Sequence, residues 1–149
     1  MQNTDTVGAL LRDKTPAIHS ISATATVFDA ISLMAERNIG ALPVLQQDRL
    51  IGMISERDYT RKVMLKGRTS KDTLVGEIMT HDPRTVGPES TVNDCMEIMT
   101  EHRVRHLPVV EDGKLVGLLS IGDLVKWIMS AQTATIEHLT RYVFGEQVG

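Results

Sequence analysis

Apolar and polar positions along the chain fall into one series that runs through twice. From Thr26 onward Val27, Ala30, Ile31, Met34 and Ala35 recur at i, i+3, i+4, i+7 spacing; from Thr91 onward Val92, Cys95, Met96 and Met99 do the same. That period predicts helices with one face against a core. Thr26 and Thr91 stand at the N-cap positions, with Asp29 and Asp94 three residues on as the return half of a capping box. A short strand, "HSI" or "RTV", precedes each helix. Two strands follow it, "ALPVL" and "LIGMIS" in one copy and "HLPVV" and "LVGLLS" in the other, and then a second helix. The prolines suit a strand start or an edge, where no ladder donor is missed. "EDGK" supplies a hairpin turn through Asp112-Gly113.

The two series are copies of one unit. Residues 83–123 slide onto 18–58 without a gap, and 12 of the 41 positions are identical. "LPV" at 42–44 meets "LPV" at 107–109, Gly52 meets Gly117, and Ser55 and Asp58 meet Ser120 and Asp123. Upstream, "VGALL" at 7–11 echoes "VGEIM" at 75–79 with a three-residue difference in spacing. A β-α-β-β-α unit of roughly 40–60 residues is too small to bury its sheet alone. The expected fold is therefore α/β (α+β), two repeats packed about an approximate two-fold. The boundaries read as repeat one over 7–66, a linker over 67–74 that overlaps the polar stretch "KGRTSKDT" at 66–73, and repeat two over 75–130. A helical tail over 131–149 carries Ile136, Leu139 and Val143 at helical spacing, with Gly145 as its stop, and is expected to pack on the module or on a second copy.

Composition narrows the function classes. An apolar fraction of 42% and a charged fraction of 23% are those of a soluble globular chain. The net charge of −3 argues against nucleic-acid or membrane attraction. One Cys forms no internal disulfide and fits a reducing compartment. The start "MQNTDTVGALLRDK" has no basic n-region or apolar h-region, and no run approaches the ~18 apolar residues of a membrane span. A soluble, cytoplasmic protein without a signal peptide is expected. No P-loop, Gly-x-Gly-x-x-Gly or Gly-x-Ser-x-Gly is present, and no spacing proposes a nucleophile with a positioned base, so no enzyme is expected. His102 and His106 are four apart, but Leu107-Pro108 draws His106 into a strand and no third ligand is evident; no metal is expected. Cys95 and the methionines read as core, and Trp127 as core or interface. The basic run Arg57, Arg61, Lys62, Lys66, Arg68, Lys71 reads as a solvated face or as phosphate contacts.

Ser-x-x-Asp occurs twice, at 55–58 and 120–123, each time where a strand runs into a helix. One reading is a capping box, as at Thr26 and Thr91. The other is a ligand site: strand carboxyl ends and helix N-termini are where α/β proteins hold ligands, and a carboxylate there can accept both hydroxyls of a ribose. Gly52 and Gly117, inside the strands, permit close approach of a backbone.

In combination, "IMT" at 78–80, "GMISERDYTRKV" at 52–63 and "RHLPVVEDGKLVGLLSIGDLV" at 105–125 resemble the tandem CBS-domain module, over essentially residues 7–130. The chain is similar to the short stand-alone two-CBS proteins of bacteria and plant organelles. The resemblance implies a nonenzymatic sensor of adenosine-containing ligands: AMP, ADP, ATP, NAD(H) or S-adenosylmethionine. It implies adenine in an apolar slot between the first strand and the Leu-Pro-Val strand, ribose on the Asp, and phosphate on the Ser and nearby basic groups. Carried onto this chain, one site takes Ser20, Ile21, Ala41, Leu42, Pro43, Ser55, Arg57 and Asp58. The other takes Thr85, Val86, Arg105, His106, Leu107, Pro108, Ser120 and Asp123. The resemblance also implies a flat homodimer and a regulated protein partner. Arg57 faces Gly122 in the alignment, and Arg105-His106 face Gly40-Ala41, so two pockets of different charge and affinity are expected. A structural or protein-docking module, its motifs only capping helices, is the alternative.

Overall fold

The computed structural model describes residues 4–14 and 18–144. In repeat one, β1 (Ile21–Ser22), α2 (Val27–Arg37), β2 (Ala41–Gln46), β3 (Arg49–Ser55) and α3 (Glu56–Tyr59) follow the expected order. A π-helical turn, Thr60–Met64, continues α3. Repeat two contains α5 (Val92–His102), β5 (His106–Glu111), β6 (Lys114–Ser120) and α6 (Ile121–Phe144). A further helix leads each repeat, α1 (Val7–Asp13) and α4 (Val75–Ile78), and α4 runs into β4 (Thr80–His81). The sheet order is β1-β2-β3-β4 in the first repeat, with β1 parallel to β2, and an antiparallel β5-β6 pair in the second. No helix among the described residues is long and apolar enough to cross a membrane.

The leading helices are exchanged. Val7 and Leu10 of α1 lie in the core of repeat two, with Val92, Cys95, Met99, Leu107 and Leu119. Val75 and Ile78 of α4 lie in the core of repeat one, with Val27, Met34, Leu42 and Ile54. Helix starts leave N–H groups without intrahelical partners, and here the opposite repeat supplies the acceptors. Val7 N donates to Ser90 O and Gly8 N to Pro88 O, both at 2.8 Å; Val75 N donates to Ala25 O and Gly76 N to Ala23 O, both at 2.9 Å. A Cβ on Gly8 would stand 3.2 Å from Pro88 O and one on Gly76 3.2 Å from Ala23 O, which explains the repeated Val-Gly. Gly52 and Gly117 serve the same exchange. A Cβ on Gly52 would come within 2.6 Å of Met79 Sδ and 2.9 Å of Thr80 O, and one on Gly117 within 2.8 Å of Leu11 Cδ2. The backbone space left by these two glycines is thus used by the chain's own leading helices.

Other departures from the expected pattern have local causes. Ala35 is exposed and Ile31 only half-buried, so α2 buries the narrower stripe Val27, Ala30 and Met34. The capping box is complete at Thr91 and Asp94; at Thr26 only the Asp29 N to Thr26 Oγ1 half forms among the described residues. The expected strand "RTV" reduces to one parallel bridge, Val86 with Val109. The Gly87 N–H is taken by Ser90 Oγ at 3.2 Å, and Pro88 has no donor, so the ladder cannot extend. Pro43 lies within β2, between two neighbours rather than at an edge. At the matching place in repeat two, Pro108 accepts from Val86 N through its carbonyl at 3.1 Å. Its missing N–H points the same way, ahead of where that pairing begins. The hairpin turn at Asp112-Gly113 forms with both residues at positive φ, and Gln47-Asp48 matches it without glycine. Burial pushes the Cys95 thiol up to about 11, with the Asp94 charge adding, as befits a core residue. The tail is not separate: α6 runs unbroken past Ser130 to Phe144, and Leu139 on it is exposed. Gly145, the expected stop, lies outside the described residues.

Because Leu10 fills repeat two, Leu10→Ala is expected to lower stability by roughly 2–5 kcal/mol and to speed native-state hydrogen exchange in β5 and β6. Acceleration confined to β2 and β3 would contradict the exchange.

Candidate functional site

Both Ser-x-x-Asp turns lie where the return strand of a hairpin enters its helix. In each, the chain closes through the same backbone bond: Glu56 N to Gly40 O at 3.1 Å and Ile121 N to Arg105 O at 2.9 Å. Strand register sets Ala41 opposite Ser55 and His106 opposite Ser120. Ala41, Ser55 and Asp58 therefore stand together at the first turn, and His106, Ser120 and Asp123 at the second. The remaining expected residues are placed less uniformly. Ser20 and Thr85 precede the first-strand positions and are exposed. Ile21 is half-buried, whereas Val86, Pro43 and Pro108 are buried. Leu42 and Leu107 have no exposed surface and belong to the repeat cores. Arg57 turns away from its own Asp, and its Nη1 donates to Arg103 O at 3.3 Å in repeat two. Arg105 is exposed, beside the half-buried His106.

The carboxylates are engaged in caps. Ser55 N donates to Asp58 Oδ2 at 2.9 Å and Asp58 N to Ser55 Oγ at 3.2 Å. Ser120 N donates to Asp123 Oδ2 at 2.8 Å and Asp123 N to Ser120 Oγ at 3.1 Å. Each also faces a lysine. Lys62 Nζ lies 3.2 Å from Asp58 Oδ1 and donates to Ile78 O at 2.8 Å. Lys14 Nζ donates to Asp123 Oδ2 at 2.7 Å and to Leu118 O at 2.8 Å. Lys62 belongs to the basic run; Lys14 belongs to no motif, although the three-residue difference between "VGALL" and "VGEIM" marks its neighbourhood.

Electrostatics separates the two pockets. Burial works against ionisation of Asp123, but Lys14 and the Ser120 N–H outweigh it, and the carboxyl stays below its ordinary value of 3.8. Burial drives His106 toward the neutral ring; Asp123 opposes this, and Lys14 and Arg105 reinforce it. The basic residues of copy two also have a packing counterpart. A Cβ on Gly40 would stand 3.5 Å from His106 Cε1, an ordinary van der Waals contact, so the imidazole of one repeat lies beside the small residue of the other. A cleft of about 470 Å³ opens between α1 and α6, walled by Leu10, Lys14, Asp123 and Trp127 among others. Of the site residues expected from sequence, only Asp123 lines it. The Trp127 indole donates to Asp5 Oδ2 at 2.8 Å, tying α6 to the segment before α1.

The fold and these turns define a duplicated α/β module with one carboxylate-bearing helix start per repeat. The chain belongs to the CBS-domain family, whose model matches residues 7–65 and 75–130. The mitochondrial CBS domain-containing protein CBSX3 of Arabidopsis thaliana is 42% identical over 125 residues, 80% of this chain and 61% of that protein. The chain thus spans less than two thirds of that relative's length. A CBS-domain structure from Burkholderia ambifaria MC40-6 shares 50% identity at a TM-score of 0.82, covering 85% of this chain and 96% of that one. CBSX2, solved in complex with AMP, shares 30% identity at a TM-score of 0.70, covering 86% and 98%.

The folded state holds ionised Asp123 more tightly than the unfolded chain does. That stabilisation is complete above the ordinary aspartate value of 3.8 and disappears as the pH falls through the lower folded value. The stability gap between wild type and Asp123→Asn, measured by urea unfolding, is expected to be widest near neutrality and to close in acid. A gap that widens in acid would reverse the sign.

Proposed function

We propose that this protein is a nonenzymatic regulatory module that binds an adenine nucleotide at its two Ser-x-x-Asp turns. AMP, ADP, ATP, NAD(H) and S-adenosylmethionine are the candidate ligands. The observation that carries the reading is the pair of carboxylates at strand-to-helix junctions, Asp123 facing Lys14 of the other repeat and Asp58 facing Lys62, which bonds Ile78 O of the other repeat. The AMP complex of CBSX2 supports the ligand class. Ribose hydroxyls would be accepted by Asp58 and Asp123, and phosphate by Ser55, Ser120, Arg57, Arg105 or His106. Each pocket draws on both repeats, so a ligand favours one relative orientation of them, and a partner protein reads that orientation. The capping reading has its own support, because both carboxylates complete caps.

A thermal-shift series with the candidate ligands separates the two. Ligand at ~100 times its dissociation constant adds about 2.7 kcal/mol, a rise on the order of 5–10 °C for a chain of this size. Asp58→Asn and Asp123→Asn keep a capping acceptor, so each is expected to weaken binding while the chain stays folded, Asp123→Asn losing the stability contributed by its ion pair with Lys14. No shift with any of the ligands would leave the caps as the whole role of the motifs.

The expected homodimer has a matching surface. Met64 and Met129 occupy equivalent places in the two repeats and are 59% and 61% exposed, beside exposed Leu65 and Val125. A second copy would cover both patches through a self-complementary interface. Light scattering is expected to give twice the chain mass for wild type and a shift to monomer for Met64→Asp/Met129→Asp; a monomeric wild type would remove the dimer.

A further inference from the structure

Lys14 holds the oxygen of Asp123 that a sugar would need. A carboxylate that accepts two vicinal hydroxyls uses both of its oxygens. Ser120 N and Lys14 Nζ both donate to Asp123 Oδ2. Lys14 arrives at the end of α1, the exchanged helix, and a second bond to Leu118 O fixes it there. With side chains 37% and 25% exposed, the ion pair is not sealed from water and is worth little in itself. It can be exchanged, and what decides the exchange is what the displaced ammonium meets next. A ligand without an anion leaves Lys14 with one neutral carbonyl in a partly buried place, which is unfavourable. A phosphate supplies a charge-assisted partner in place of the carboxylate.

We propose that Lys14 is a latch on the second pocket, released from Asp123 by the phosphate of an incoming nucleotide, so that this pocket selects phosphorylated nucleosides over adenosine and S-adenosylmethionine. The inference deepens the nucleotide reading and rests on it. Asp58 meets a comparable lysine, but Lys62 sits one helical turn along the same helix, at 3.2 Å and on the oxygen opposite to the cap. The latch of the first pocket is thus local, while that of the second is carried by α1.

The protein has a single Trp, Trp127, which lines the cleft shared with Lys14 and Asp123, so its fluorescence follows the second pocket. Titration of wild type with AMP and adenosine is expected to show at least a tenfold preference for AMP. Lys14→Met is expected to bring the two affinities within threefold, with adenosine bound no more weakly, and Lys14→Arg to keep the preference. If Lys14→Met does not fold, Lys14→Gln, which can still bond Leu118 O, takes its place with the same expectation. An unchanged preference in the uncharged variant, or equal weakening of both ligands, overturns the latch. Calorimetric AMP binding with a silent Trp127 also counts against it, leaving the nucleotide reading intact. Absence of any AMP or adenosine binding to wild type by calorimetry overturns both.

Discussion

The first N–H of each repeat's long helix finds its acceptor in a segment that leads the other repeat: Val27 N on Thr73 O and Val92 N on Asp5 O, both at 2.8 Å. Val27 and Val92 are fully buried, so water cannot replace those carbonyls. A buried donor left without a partner costs about 1–3 kcal/mol. The apolar side of the arrangement is equally reciprocal, with Val7 and Leu10 filling one core and Val75 and Ile78 the other. Neither repeat completes its core or its helix start from its own contiguous stretch of chain. The two halves interlock: Gly52 and Gly117 are small because the exchanged segments press against them, and Gly8 and Gly76 because, on those helices, they lie against Pro88 and Ala23.

The same exchange delivers the chemistry to the pockets. α1 ends in Lys14, which reaches Asp123, and α4 ends beside Ile78 O, which anchors the lysine facing Asp58. A rearrangement at either carboxylate is therefore felt by a helix that packs in the same core but leads the opposite repeat along the chain.

Much of this was legible in the chain because it is local. The stripe Val27, Ala30, Met34 and its copy Val92, Cys95, Met99 follow from helical periodicity, and the Asp112-Gly113 turn from backbone conformation. Ala35 misled because periodicity cannot fix how wide a stripe its neighbours cover. The destination of α1 was not legible, since a Val-Gly-x-x-Leu helix suits either core equally well. Ser-x-x-Asp stayed divided between cap and ligand site because both uses need the same atoms in the same place. The pairing of Lys14 with Asp123 joins residues 109 apart, beyond the reach of any motif.

The difference between the pockets traces to one small insertion. In repeat one, α4 stops at Ile78, and Thr80–His81 pairs with β3 as a strand, Thr80 opposite Met53. In repeat two, α1 continues three residues longer, to Asp13, and among the described residues no strand pairs with β6 on that side. Leu118, the counterpart of Met53, has its carbonyl satisfied instead by the ammonium of Lys14. Where repeat one places a paired strand, repeat two places a charged side chain, and that charge stands beside Asp123 and His106. Duplication makes the two sites geometrically alike; the extra turn of α1 makes them electrostatically different.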